Sequence, residues 1–226
     1  MAITAFLTGV FVSTVYAQAV SGADDALQPG RELFAQKHFK EAEDFFDKAL
    51  ASSSDSLEAL VCLAQVYNEE GRYAKAIVLC DRALSLGAND ADALACRAEA
   101  YAKSKQFSKA QEDCNRALAI DPQHARSYCV RAQVQAQLER YKEALDDVDQ
   151  AVKLAPASAE ALCTRAQICL KLEQYERAVG DADKAIKLDD KLAGAYYYRG
   201  RSYKELGRKN LARHDLQTAK TLGFQE

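Results

Sequence analysis

A period of 34 residues constrains this sequence more than any other feature. Rows of 34 residues that begin at residue 23 align six times without a gap. Two columns are alanine in every row, namely Ala42, Ala76, Ala110, Ala144, Ala178, Ala212 and, seven residues further on, Ala49, Ala83, Ala117, Ala151, Ala185, Ala219. A third column contains only glycine or alanine: Gly30, Ala64, Ala98, Ala132, Ala166, Gly200. A fixed period of this length indicates a tandem array of one structural unit.

The composition indicates that this unit is helical. The chain of 226 residues contains 10 Gly, 3 Pro and no Trp, and it is rich in Ala, Leu, Lys and Glu. Strands need β-branched residues and frequent turn residues, which are scarce here. Each row therefore has room for two helices of about 13 residues joined by a tight turn. Small residues in facing columns let the two helices approach closely, and successive rows must stack because one row cannot bury its own apolar face.

Two further columns complete the pattern. An aromatic residue follows each predicted turn in the first five rows, as Phe39, Tyr73, Phe107, Tyr141, Tyr175, and two rows end near Pro122 and Pro156. Over residues 23–226 the period and these columns resemble the tetratricopeptide repeat. The resemblance implies an all-α fold, a right-handed superhelical solenoid of helix-turn-helix repeats, with a concave groove lined by the first helix of each repeat. It also implies a protein or peptide partner.

We expect residues 1–19 to be a signal peptide and residues 20–226 to be the repeat domain. Asp24 is the first charged residue, and the apolar run before it ends in small residues that suit cleavage after Ala17 or Ala19. No Lys or Arg precedes the run, so an uncleaved anchor or the tail of a cytoplasmic protein stay open as alternatives. The run is short for a membrane span, which needs about 20 apolar residues. We therefore expect an exported protein, periplasmic or secreted, with a cytoplasmic location as the alternative.

The terminal repeats differ from the inner ones. The predicted limits are 23–56 (degenerate), 57–90, 91–124, 125–158, 159–192 and 193–226 (a C-terminal cap). We expect the first helix to begin near Pro29, because proline inside a helix costs about 3 kcal/mol. Arg213 and Lys220 occupy columns that are apolar in the inner rows, as suits the polar outer face of a terminal repeat.

Paired charges recur with the same period. Four rows have an arginine followed 16 residues later by an aspartate: Arg97 and Asp113, Arg131 and Asp147, Arg165 and Asp181, Arg199 and Asp215. Row 2 has Leu63 and Leu79 in these columns, so the two charges are present or absent together. We interpret the pairs as structural salt bridges within each repeat. A ladder of arginines that binds anions is the alternative.

The cysteines have two interpretations. Cys80 and Cys114 lie in a column that also contains Phe46 and Val148, which indicates small apolar core residues. The alternative is a pair of disulfides, Cys62–Cys80 and Cys96–Cys114, which requires Cα atoms within about 7 Å of each other. With seven cysteines, at least one thiol remains.

The sequence contains no motif for catalysis, a metal or a cofactor. The three histidines lie in different rows, and there is no metal-ligand spacing, phosphate-binding loop or nucleophile elbow. The 30 basic and 33 acidic residues are well mixed, whereas nucleic-acid binding needs a concentrated basic face. We expect a non-catalytic protein without cofactor, metal or nucleic-acid ligand.

The resemblance assigns groove positions to the first helices. The expected ligand-binding residues are Asn68, Glu99, Arg126, Gln133, Gln167, Lys171, Tyr197, Arg201, Lys204. The full lining has a net charge of −3 in rows 2 and 3 and of +2 in rows 4 to 6. We expect an extended peptide whose acidic end faces the later rows, with Tyr197 as its main anchor. The alternative is that this face is solvated and binds no ligand. The protein would then be a structural spacer or a self-associating assembly element.

One subtype is excluded by its columns. Co-chaperone tetratricopeptide domains hold a C-terminal carboxylate with Lys, Asn, Asn, Lys and Arg. Here the same columns contain Val61, Gln65, Cys96, Arg126, Val130.

Overall fold

The structure of the chain is a computed structural model, which describes residues 26–87 and 89–224. All regular secondary structure in these ranges is helical. Residues 26–35 form α1. The remaining helices are α2 (Phe39–Ser52), α3 (Leu57–Glu69), α4 (Tyr73–Leu86), α5 (Ala91–Lys103), α6 (Phe107–Ile120), α7 (Ala125–Gln137), α8 (Tyr141–Leu154), α9 (Ala159–Lys171), α10 (Tyr175–Leu188), α11 (Ala193–Glu205) and α12 (Lys209–Thr221). The predicted all-α repeat solenoid is confirmed.

The helices begin where the 34-residue rows begin. α3, α5, α7, α9 and α11 each start at the first residue of a row. The preceding side chain caps four of them by accepting a hydrogen bond from a backbone N–H in the first turn, as Ser56, Asp90, His124 and Ser158 do. Such caps satisfy N–H groups that have no partner inside the helix.

A residue with positive φ ends each first helix. Its successor donates its backbone N–H to a carbonyl five residues earlier, for example Arg72 to Tyr67 at 2.8 Å. The left-handed residues are Gly71 and Gly207 (φ of 74° and 73°) and Lys37, Lys105, Glu139, Glu173 (φ of 60° to 63°). This backbone conformation reverses the chain and starts the second helix.

The chain forms two compact units, divided after residue 88. The described part of the first unit contains α1 to α4, where α3 packs on both α2 and α4. A Cβ atom added to Gly30 would lie 2.5 Å from the ring of Phe45 and 2.7 Å from that of Phe46. Glycine is therefore required where α1 crosses α2.

The second unit contains four helical hairpins. They are α5–α6, α7–α8, α9–α10 and α11–α12, and the first helix of each hairpin also packs on the next first helix. Ala98, Ala132 and Ala166 are fully buried between the helices. At the equivalent Gly200, an added Cβ would lie 3.0 Å from Leu216 Cγ. The small-residue column therefore lies at the closest approach of the two helices.

The ends of the chain differ in part from the expectation. The predicted start of the first helix near Pro29 is wrong, because residues 26–28 are already helical. Pro29 therefore lies inside α1, where it has no backbone N–H to donate. Arg213 and Lys220 are exposed on α12, the last described helix. The predicted signal peptide, residues 1–19, lies outside the described residues.

None of the helices described in residues 26–87 and 89–224 combines the length and the apolar character that crossing a membrane requires.

Candidate functional site

Each arginine of the charged column binds the aspartate 16 residues later. Its Nε and one terminal nitrogen donate to the two carboxylate oxygens at 2.6–2.8 Å in all four pairs. The aspartates Asp113, Asp147, Asp181 and Asp215 are buried, with 3–8% of their surface exposed. Bidentate pairing of this kind is the strongest arrangement of the two groups. These arginines therefore belong to the scaffold and do not form an anion-binding ladder.

The structure adds a second partner that the sequence analysis missed. The remaining terminal nitrogen of the last three arginines donates to a side chain 16 residues earlier, in the preceding repeat. The pairs are Arg131 with Asn115 at 2.8 Å, Arg165 with Asp149 at 3.0 Å and Arg199 with Asp183 at 2.7 Å. Each of these arginines thus connects two repeats. The sequence indicates this second pairing, because residues 115, 149 and 183 form a polar column with the 34-residue period.

The cysteines are core residues. All seven lie within the described residues, all are buried, and none forms a disulfide. Burial raises the pKa of both the Cys114 and the Cys163 thiol to about 12, so these thiols stay protonated at neutral pH. Within residues 26–87 and 89–224, no group of three His, Cys, Asp or Glu side chains is arranged to hold a metal ion.

A cavity of about 410 Å³ lies on the first helices of the second unit. It extends from Lys103 at the end of α5 to Tyr198 on α11, and Gln133 and Gln167 of the predicted groove line it. Lys105 and Phe107, from the α5–α6 hairpin, line it as well. Cys163, Leu192, Gly194 and Tyr198 form the wall towards the last repeat. The site therefore combines amides and charges with a partly apolar end.

Polar side chains 27 residues apart pair along this surface. Arg126 donates to Glu99 at 2.6 Å, and Gln133 donates through Nε2 to Glu160 at 3.0 Å. The next pair in the series would be Gln167 and residue 194, which is glycine. Gln167 has no hydrogen-bonded side-chain partner among the described residues. The series of pairs is thus interrupted inside the cavity, and a carboxamide is left available there.

Gly194 also determines the space beside Gln167. A Cβ atom at this position would lie 3.2 Å from Cys163 Sγ and 3.5 Å from the ring of Tyr198. A longer side chain would extend into the cavity. Glycine therefore both ends the series of polar pairs and leaves the cavity open.

Tyr197, predicted as an open aromatic anchor, is covered by another aromatic residue of the chain. Its ring stacks on Phe224 with centroids 4.3 Å apart and planes inclined by 19°, and Tyr198 meets both rings edge-on at 5.4 and 6.0 Å. Arg201 donates to the Tyr197 hydroxyl at 2.8 Å. Phe224 could not be predicted from the repeat, because it lies after the last described helix, where the columns predict nothing.

The other predicted groove residues have different surroundings. Lys171 and Lys204 are exposed. Glu99 is 7% exposed and its charge is neutralised by Arg126, so neither is a free charge for a ligand. Asn68 is buried in the first unit. The cavity therefore brings together Gln133 and Gln167, whereas the expected separation of charge is weakened by internal pairing.

The fold and the cavity define a helical-repeat protein. Three sequence models of the tetratricopeptide repeat match residues 33–100, 98–169 and 159–192, which together are more than half of the chain. The chain belongs to the tetratricopeptide-repeat family. No curated protein sequence matches it significantly.

Solved structures agree with this assignment at the level of the fold. TTC0263, a thermophilic tetratricopeptide-repeat protein of Thermus thermophilus, is 21% identical with a TM-score of 0.69, and the match covers 81% of this chain and 98% of that one. PilF of Pseudomonas aeruginosa is 19% identical with a TM-score of 0.65, over 88% and 91% of the two chains. YrrB, a tetratricopeptide-repeat protein with an unusual peptide-binding site, is 20% identical with a TM-score of 0.53, over 79% and 92%.

Proposed function

We propose that this protein is a non-catalytic scaffold that binds an extended peptide segment of a protein partner on the first helices of its second unit. The observation that carries the proposal is the interrupted series of polar pairs at Gln167 and Gly194, inside a cavity of about 410 Å³. A carboxamide can donate to a peptide carbonyl and accept from a peptide N–H, so Gln167 suits an extended backbone. Family membership and the peptide-binding site of YrrB support this function.

Charge orients the segment only weakly. Lys171 and Lys204 are exposed cations of the later repeats, and we place the acidic end of the segment towards them. Arg126 contributes less than its charge suggests, because Glu99 already accepts its hydrogen bond at 2.6 Å. Exposed pairs contribute about 0.2–1 kcal/mol each. Most of the binding free energy therefore comes from the cavity.

The test is a selection of peptides from a random displayed library against the full chain, followed by titration of the selected peptides. Gln167→Ala should weaken binding by about fivefold or more, because each hydrogen bond lost to the peptide backbone costs about 1 kcal/mol. Gln150→Ala is the matched control, since Gln150 is exposed on the second helix α8. It should leave the affinity unchanged.

Two results would contradict the proposal. Selected peptides that bind the Gln167→Ala chain as tightly as the parent bind elsewhere on the protein. A chain that enriches no peptide but self-associates with rising concentration in sedimentation experiments would favour the assembly-element alternative.

A further inference from the structure

The chain reverses direction after its last described helix and brings an aromatic ring back onto α11. α12 ends at Thr221, Gly223 has a φ of 88°, and the Phe224 N–H donates to the Ala219 carbonyl at 3.0 Å. The Phe224 ring then stacks on Tyr197 and meets Tyr198 edge-on. A Cβ added to Gly194 would lie 3.6 Å from the same ring. We call the surface formed by Gly194, Tyr197 and Tyr198 the aromatic seat.

The aromatic seat adjoins the cavity. Gly194 and Tyr198 line the cavity; the Tyr198 ring contacts Phe224, and Gly194 lies next to the same ring. The glycine that leaves Gln167 available therefore also lies beside the ring of Phe224. A segment that lies along Gln167 reaches the aromatic seat at the end of the cavity nearer the last repeat.

We propose that the aromatic seat is a subsite for an aromatic side chain of the bound segment, and that Phe224 is an internal occupant which that side chain displaces. The inference rests on the proposed function. It specifies the partner as a peptide segment with a Phe, Tyr or Trp residue next to the part of its backbone that lies along Gln167.

The geometry of the aromatic seat selects a flat ring. The ring in the aromatic seat stacks on Tyr197 and forms a T-shaped pair with Tyr198, and stacked and T-shaped pairs are the arrangements that aromatic rings prefer. Arg201 holds the Tyr197 ring in place through the hydrogen bond to its hydroxyl. A branched aliphatic side chain could bury area here, but it could not stack.

Phe224 is a displaceable occupant. It lies three residues beyond the end of α12 and is only partly buried. Its short tether makes it a competitor at an effective concentration on the order of millimolar. A partner segment competes successfully because it gains contacts with Gln167 as well as the stacking, whereas Phe224 gains the stacking alone.

The test uses the absence of tryptophan from the chain. The probe is a peptide of residues 219–226 with tryptophan in place of Phe224, and its tryptophan fluorescence reports binding because the protein has no tryptophan of its own. If Phe224 occupies the aromatic seat nine-tenths of the time, the full chain with Phe224→Ala should bind the probe about tenfold more tightly than the parent. Leu211→Ala is the control, because Leu211 is 50% exposed on α12. It should bind like the parent.

A second variant keeps the result interpretable. Tyr197→Ala in the Phe224→Ala background should abolish the gain, and circular dichroism should show that both variants fold. Equal binding by the parent and Phe224→Ala, or full binding after Tyr197→Ala, would overturn the inference.

The two proposals can fail separately. Library peptides that depend on Gln167 but show no aromatic preference and no response to Phe224→Ala would overturn the aromatic seat and leave the proposed function intact. Probe binding that depends on Tyr197, together with library peptides indifferent to Gln167, would support the aromatic seat and contradict the proposed role of Gln167. Absence of binding by the probe and by all library peptides would overturn both.

Discussion

At the scale of single residues, the turn inside each repeat imposes a left-handed conformation on residues that are not always glycine. Gly71 and Gly207 adopt it without steric cost, whereas Lys105, Glu139 and Glu173 adopt it with a Cβ atom. The steric cost of the left-handed conformation is roughly 1–2 kcal/mol for a residue with a Cβ. It is partly offset, because a glycine at the same position would increase the conformational entropy of the unfolded chain and so favour unfolding. The repeats therefore share one turn geometry but not one turn residue.

We predict that Glu173→Gly raises the free energy of unfolding by about 0.5–1 kcal/mol and that Gly71→Ala lowers it by about 1 kcal/mol. Urea titrations followed by circular dichroism measure both changes. Gly180 is a control for a glycine that does not lie in such a turn, because it is inside α10 and an added Cβ would meet no atom within 4 Å. Gly180→Ala should stabilise by about 0.5–1 kcal/mol, as in an open helix interior. A loss of stability in Glu173→Gly would show that its side chain has a role that the turn geometry does not explain.

At the scale of helices, buried charge connects the hairpins. Arg131 binds Asp147 within its own repeat and Asn115 in the preceding one. The side chains of Arg131 and Asp147 are 21% and 11% exposed, so removing either leaves the other group largely desolvated. The same connection recurs at Arg165 and Arg199. It therefore stabilises the contact between neighbouring repeats as well as each hairpin.

We predict that Arg131→Ala and Asp147→Ala each lower the free energy of unfolding by about 3 kcal/mol, and that the double variant loses much less than the sum. A double-mutant cycle in denaturant measures the coupling. Arg116→Ala is the control, because its side chain is 49% exposed and its nitrogen lies 3.8 Å from Asp113. It should change stability by less than about 1 kcal/mol. Strict additivity of the two buried substitutions would contradict the coupling.

At the scale of the whole molecule, the N-terminal segment remains a prediction. Residues 1–19 lie outside the described residues, and their apolar run followed by small residues is typical of an export signal. We propose that the mature chain begins at Gln18 or Val20. Intact-mass measurement of the protein from its native cells would test this. Retention of Met1 or Ala2 on an intracellular protein would contradict it.

The sequence by itself determined the repeat, the helices and the charged pairs within the four hairpins of the second unit. This was possible because a strict 34-residue period places equivalent residues in equivalent contacts. Row 2 has Leu63 and Leu79 in the two columns that hold Arg131 and Asp147 in row 4. Because the two columns change together, they indicate a contact, and Arg131 and Asp147 make it. Two of the residues predicted to lie in the groove, Gln133 and Gln167, line the cavity.

Only the tertiary structure decided which groove groups remain available. Arg126 is neutralised by Glu99 of the preceding repeat, and this contact depends on how two helices stack rather than on any single row. Gly194 lines the cavity without a side chain of its own, and Tyr197 is covered because the chain turns back after α12. A periodic pattern predicts the contacts that repeat. Contacts made where the period is interrupted or ends depend on the three-dimensional path of the chain, and in this protein they form the candidate site.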